Sequence, residues 1–273
     1  MEGLFNDEFS SLKSLFLLTQ TRLNMNFNMT SFFDSTYLKT KEQSGLSDQE
    51  EKQVVKSFVL EAVEHNFKLV MIRSNHVALA KEIIADKGSN VLVGTVIDFP
   101  NGSSSTENKL DEISNAINLG ADDIDVVINY ELFKKGGSDY IDNQVKACTA
   151  LCLSNNKTIK WIIESAALSD NEIIDICQLI RDVVIDNFGQ NNAHNVFVKS
   201  STGFYFSPDS APNGATVSAI KLMLDNSSPL PVKASGGIRN IEDFKTMVDL
   251  GVKRIGTSSA VSILHGKESD SNY

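Results

Sequence analysis

The chain has 273 residues, enough for one large α/β barrel or two ordinary domains, and 41% hydrophobic with 22% charged residues is a balance that can bury a core. Its 35 acids against 25 basic residues leave a formal charge of −10, which disfavours a nucleic-acid partner, because phosphate backbones need clustered positive charge. The three cysteines and four histidines show neither a disulfide framework nor metal-ligand spacing. Acids interrupt the N-terminus where a secretory signal would stand, and no run approaches the ~20 apolar residues of a membrane span. The expectation is therefore a cytoplasmic protein with no membrane partner.

In chain order, residues 1–30 form an N-terminal extension in which Leu12, Leu15, Phe16 and Leu18 suggest a short helix packed on the rest. Residues 31–39 read as a first strand, and Ser47 with Glu50 makes a capping box before apolar positions at helical spacing. Strands follow at 68–72, 90–99, 123–128 and 159–164, with helices at 76–85, 106–119, about 140–153 and 170–185. A sixth strand at 195–200 leads to a helix capped by Asn213. The seventh strand is 232–234, then comes a helix at 241–250, the eighth strand at 253–256, and a short helix from Ser258 or Ser259. Eight strand-then-helix units without a Pro/Gly/Ser-rich boundary predict a single (β/α)8 TIM barrel over 31–265, with a polar tail at 266–273, rather than two α/β domains.

Two short apolar runs each end in a lysine followed by small residues: Val196-Phe197-Val198-Lys199-Ser200-Ser201-Thr202-Gly203 and Val232-Lys233-Ala234-Ser235-Gly236-Gly237. Strand alternation puts Lys199 on the same face as Phe197. Burial lowers a lysine pKa, and a second inward lysine lowers it further, toward a free amine able to attack a carbonyl. A single such lysine reads more readily as a snorkelling or salt-bridged strand end; the pair favours chemistry. Gly203, the Gly236-Gly237 turn and Gly256-Thr257-Ser258-Ser259 follow strands six, seven and eight, where barrels hold phosphate on backbone N–H groups. Asp34, Asp98, Asp125 and Glu164 end other strands; beside two lysines they are poor metal ligands. Asp125 reads as a proton-handling or lysine-orienting carboxylate, or as a structural ion pair with either lysine. Together these residues imply Schiff-base chemistry on a sugar phosphate, with no external cofactor and no metal.

The lysine motifs resemble deoxyribose-phosphate aldolase, as do Gly94-Thr95-Val96-Ile97-Asp98-Phe99-Pro100-Asn101-Gly102, Gly120-Ala121-Asp122-Asp123-Ile124-Asp125 and Lys160-Trp161-Ile162-Ile163-Glu164. The resemblance covers residues 31–265. It implies Lys199 as Schiff-base nucleophile, Lys233 as the neighbour that lowers its pKa, and Asp125 as proton relay. It also implies Asp34, Thr36 and Lys160 on the substrate side, Gly203, Gly236, Gly237, Ser258 and Ser259 at the phosphate, and Tyr273 near the substrate. The implied reaction cleaves 2-deoxy-D-ribose 5-phosphate to D-glyceraldehyde 3-phosphate and acetaldehyde; assembly into a homo-oligomer stays open. Another lysine-dependent sugar-phosphate aldolase and a catalytically silent sugar-phosphate-binding barrel are the alternatives. The sequence departs from the family pattern at Ser35, at Met71-Ile72-Arg73-Ser74, at Phe204 and across 205–212.

Overall fold

In this computed structural model, residues 28–206 and 214–267 are described. The expected helix around Leu12–Leu18, the Asn213 cap and Tyr273 lie outside the described residues. Eight parallel strands close in sequence order into a barrel. They are β1 (Phe33–Tyr37), β2 (Leu69–Ile72), β3 (Leu92–Ile97), β4 (Asp123–Val127), β5 (Thr158–Ile162), β6 (Val196–Lys199), β7 (Val232–Ser235) and β8 (Arg254–Thr257). The principal helices are α1 (Asp48–Glu64), α2 (Val77–Asp86), α3 (Thr106–Asn118), α4 (Ser138–Ser154), α5 (Asp170–Phe188), α6 (Val217–Ser227), α7 (Ile241–Leu250) and α8 (Ala260–Leu264). This is the expected (β/α)8 architecture.

Local chemistry sets the helix starts. Ser47 with Glu50 and Ser169 with Glu172 form reciprocal capping boxes, so two otherwise unmet donors at each N-terminus are satisfied. Helix α6 begins on a Thr216 cap. Five strands stop earlier than expected: β1 at Tyr37, β3 at Ile97, β4 at Val127, β6 at Lys199, and β5 at Ile162, where Glu164 turns left-handed at φ 53°. A short helix at Tyr130–Lys134, unsignalled by periodicity over so few residues, follows β4.

Alternation divides each strand. Val70 and Ile72, Ile124 and Val126, Ile159 and Trp161, and Val196 and Val198 join the continuous apolar layer under the helices. The other parity fills the barrel, whose interior is split. On β2 and β3 it is apolar, with Leu69, Met71 and Val96 clustered together. On β1 and from β4 round to β8 it carries Asp34, Asp123, Asp125, Lys160, Lys199, Lys233 and Arg254, all buried. The parallel register aligns Asp125 with Lys160, Lys199 with Lys233, and Lys233 with Arg254, so opposite and like charges meet across single strand spacings.

Buried Lys109 on α3 pins the mouth near β3 and β4: its Nζ donates to the carbonyls of Gly102 (3.1 Å) and Val127 (2.6 Å) and to Gln144 Oε1 (2.7 Å). Gly102 sits at φ +68°, and a Cβ there would fall on the Ile128 carbonyl oxygen. Gly102→Ala should therefore destabilise the fold by about 2 kcal/mol or more in denaturant unfolding, whereas a change below about 0.5 kcal/mol would show that the turn can relax.

Candidate active site

Asp125 is the meeting point of the interior charges. Lys199 Nζ (2.9 Å) and Lys233 Nζ (2.8 Å) both donate to its Oδ2, and Lys160 Nζ donates to its Oδ1 at 3.0 Å. Lys160 also donates to Asp123 Oδ2 at 2.6 Å, and Lys233 pairs with Asp34 Oδ2 at 2.6 Å. Arg254 closes the network from below, with Nε on Asp34 (2.6 Å) and Nη2 on Asp123 (3.0 Å). Gly256, two residues on, leaves the space: a Cβ there would stand 3.0 Å from Lys233 Cε.

Three carboxylates thus face four basic groups, and the ammonium groups are unequally held. Lys160 is raised above the ordinary lysine value, because Asp123, Asp125 and Asp34 outweigh the burial that would lower it. Lys199, only 3% exposed, is lowered to about 8: burial is the leading cause, and Lys233 adds to it against the pull of Asp125. Burial alone would raise Asp125, yet the three surrounding ammonium groups hold it well below the usual carboxylate range. Asp34, equally buried, is brought to about 2 by Arg254, Lys233 and Lys160 against its burial. The site at rest therefore holds an ionised carboxylate beside a lysine whose proton leaves more readily than an ordinary lysine's.

Lys199 forms the floor of a cavity at the C-terminal end of the barrel, bordered by Thr36, Leu38, Thr202, Gly203 and the loops after β7 and β8. On those loops Gly236 (φ +86°) and Gly237 (φ +78°) occupy the left-handed region that suits glycine. Among the described residues, the amides of Gly236, Gly237 and Ser258 meet no protein acceptor, and all three residues border the cavity. Gly214 packs against this turn, its φ of +130° and the Gly236 backbone leaving no room for a Cβ. The exposed Arg239 also borders the cavity.

Several expected positions fall elsewhere. Asp34 and Lys160, expected on the substrate side, are fully buried in the charge network and do not border the cavity. The reason is depth: Lys160 pairs in register with the fully buried Asp125, and Asp34 stands one inward-facing position below Thr36, the β1 residue that borders the cavity. Gly203 borders the cavity, but its amide donates to Ser201 Oγ at 2.9 Å and is not free for an anion. Ser259 is buried with its amide on Thr257 Oγ1 (3.0 Å), leaving Ser258 as the donor on that loop. Glu164 accepts from Ser201 and Thr202, and Asp98 accepts from the Ser104 amide and hydroxyl. Sequence reading missed Arg254; its alternation with Gly256 on an otherwise apolar strand was the available signal.

A closed parallel barrel with a deprotonable amine at its mouth, a carboxylate within a hydrogen bond and an amide cradle opposite is the arrangement of a lysine-dependent aldolase. Residues 42–266 match the family described as DeoC/LacD family aldolase, and the chain belongs to that family. A deoxyribose-phosphate aldolase of Staphylococcus epidermidis is 40% identical over 247 residues, spanning 90% of this chain and all of the relative. One from Staphylococcus saprophyticus is likewise 40% identical over the same share of each. Among solved structures, an aldolase called QR15 superposes with a TM-score of 0.72 at 30% identity, covering 88% of this chain and 95% of its own. The tetrameric deoxyribose phosphate aldolase of Aeropyrum pernix gives a TM-score of 0.70 at 27% identity, over 87% and 89% of the two chains.

With an amine pKa of about 8, about a tenth of Lys199 is uncharged at pH 7, on the order of 300-fold more than for an ordinary lysine. Modification of Lys199 by a small amine-directed reagent should climb as pH rises through 8 and level off above it. A midpoint at the ordinary lysine value would contradict the environment described.

Proposed function

We propose that this chain reversibly cleaves 2-deoxy-D-ribose 5-phosphate to D-glyceraldehyde 3-phosphate and acetaldehyde, a reaction of deoxyribonucleoside catabolism, with Lys199 as the Schiff-base lysine. The observation that carries the reading is the cavity-floor Lys199 amine, 2.9 Å from a carboxylate that also binds Lys233. The free amine adds to the sugar's aldehyde carbon, and loss of water gives an iminium. Asp125 receives the proton of the C3 hydroxyl as the C2–C3 bond breaks, and the bonding pair moves into the iminium to leave an enamine. Glyceraldehyde 3-phosphate departs; a proton returns to C2, and water releases acetaldehyde and the amine. Lys233, held on the same carboxylate, helps lower the pKa of the nucleophile.

In this reading the Gly236, Gly237 and Ser258 amides bind the phosphate, with Thr36 bordering the sugar. Lys160 and Asp34 act one step back, holding Asp125 and Lys233 in place. The tetrameric Aeropyrum pernix relative supports a homo-oligomer, and the buried free thiols Cys148, Cys152 and Cys177 suit a reducing cytoplasm.

Borohydride reduction in the presence of deoxyribose 5-phosphate or acetaldehyde should leave an adduct on Lys199, found by peptide mapping. Lys199→Ala should lose the adduct and on the order of 10³-fold or more of turnover. Sugar-phosphate binding without any adduct would sink the aldolase reading in favour of a silent binder. Failure to use acetaldehyde as donor would point to a different lysine-dependent aldolase.

A further inference from the structure

Glu164 is a buried carboxylate, 1% exposed, that the reaction as written does not use. Its backbone is left-handed at φ 53°, ψ 63°, a conformation that costs a residue with a Cβ and persists only where its surroundings enforce it. Its neighbours in space belong to the next strand. The amides on either side of Glu164 reach the end of β6: Ile163 N–H donates to the Lys199 carbonyl (3.0 Å) and Ser165 N–H to the Ser200 carbonyl (2.8 Å). The Glu164 carboxylate takes the next two residues, accepting from Ser201 Oγ (2.6 Å), from the Thr202 amide (3.1 Å) and from the Thr202 hydroxyl. Residues 163–165 thus hold four consecutive residues, Lys199 to Thr202.

The carboxylate also orders the two amides beyond Thr202. Because both hydroxyls give their protons to Glu164, their oxygens are left as acceptors, and they take the Gly203 amide (2.9 Å) and the Phe204 amide (3.0 Å). Among the described residues that border the cavity, the Thr202 and Gly203 amides are thus taken, and the amides without a protein acceptor lie on the β7 and β8 loops. An anion is directed to those loops, away from the backbone that carries the amine.

We propose that Glu164 is a positioning residue for Lys199, its carboxylate locking the Ser201–Thr202 turn so that the amine is presented at a fixed place on the cavity floor. This rests on the reading of Lys199 as the Schiff-base lysine. Its distinguishing feature is where the effect falls: the anion cradle stands on other strands, so loss of the lock slows imine formation with phosphorylated and unphosphorylated sugar alike.

The test uses Glu164→Gln, which keeps one carbonyl acceptor, and Glu164→Gly, which suits the backbone and removes the lock. For each, the rate of borohydride-trappable adduct on Lys199 and the kcat and KM for deoxyribose 5-phosphate and for deoxyribose are measured, with thermal unfolding to establish the folded fraction. Glu164→Gly should lose on the order of tenfold or more in trapping rate and kcat per folded molecule, as expected for a displaced nucleophile. The ratio of kcat/KM for the two sugars should stay within about threefold of the parent, and Glu164→Gln should recover much of the loss. Trapping and kcat within twofold of the parent in both variants would overturn the proposal and leave Glu164 a stability residue only. A loss confined to the phosphorylated sugar would overturn it too, by assigning Glu164 to the cradle. Absence of any Lys199 adduct in the parent protein would instead remove the reading on which it rests.

Discussion

One carboxylate with three ammonium donors governs this barrel. Stripping an ion of water costs several kcal/mol even after relaxation, so Asp125, Lys160, Lys199 and Lys233 are tolerable inside only because each offsets the others' desolvation. Removing one partner strands the rest. The surrounding layer is built to the same constraint: Asp123 and Asp34 complete the coordination of Lys160 and Lys233, and Arg254 completes that of the two aspartates. An excess of one basic group over the carboxylates makes one proton expendable. It leaves from Lys199, the lysine nearest the cavity, because Lys160 is tied to two aspartates.

The same constraint divides the barrel interior. Apolar Leu69, Met71 and Val96 fill the β2–β3 side, which keeps water from the charge network laterally. Polar access is at the mouth, where the β7 and β8 loops offer backbone donors while the Gly203 and Phe204 amides after β6 are already taken. Amine and anion cradle therefore stand on neighbouring but separately fixed elements. Ser200 and Ser235 cross-link them: Ser235 N–H donates to Ser200 Oγ (2.9 Å), and Ser235 Oγ donates to the Ser201 carbonyl (2.6 Å).

Much of this was legible in the sequence, for identifiable reasons. Parallel strands buried on both faces read as apolar runs, so a charged residue inside one stands out, and strand parity put Lys199 on the face of Phe197. The capping box at Ser47 is a local signal, and it held. What was not legible depends on stagger between strands. Whether Lys160 reaches substrate or underlies Asp125 is decided by its register with β4, which no residue of β5 reveals. Glu164 escaped for a related reason: a left-handed glutamate has no sequence signature, and its partners lie 37 residues downstream. The Gly203 amide was assigned to an anion because a glycine after a strand suggests one, but nearer hydroxyls compete for its proton.

The most direct test titrates Lys199 in the native protein and in Asp125→Asn, following the lysine ε-carbon resonance against pH. In the native protein the midpoint should lie near 8. In Asp125→Asn it should move lower, because the carboxylate that favours the ammonium is gone while burial and the neighbouring Lys233 remain. A midpoint that stays put or rises in the variant would contradict the central claim, that Asp125 is the charge that holds the lysines of this barrel together.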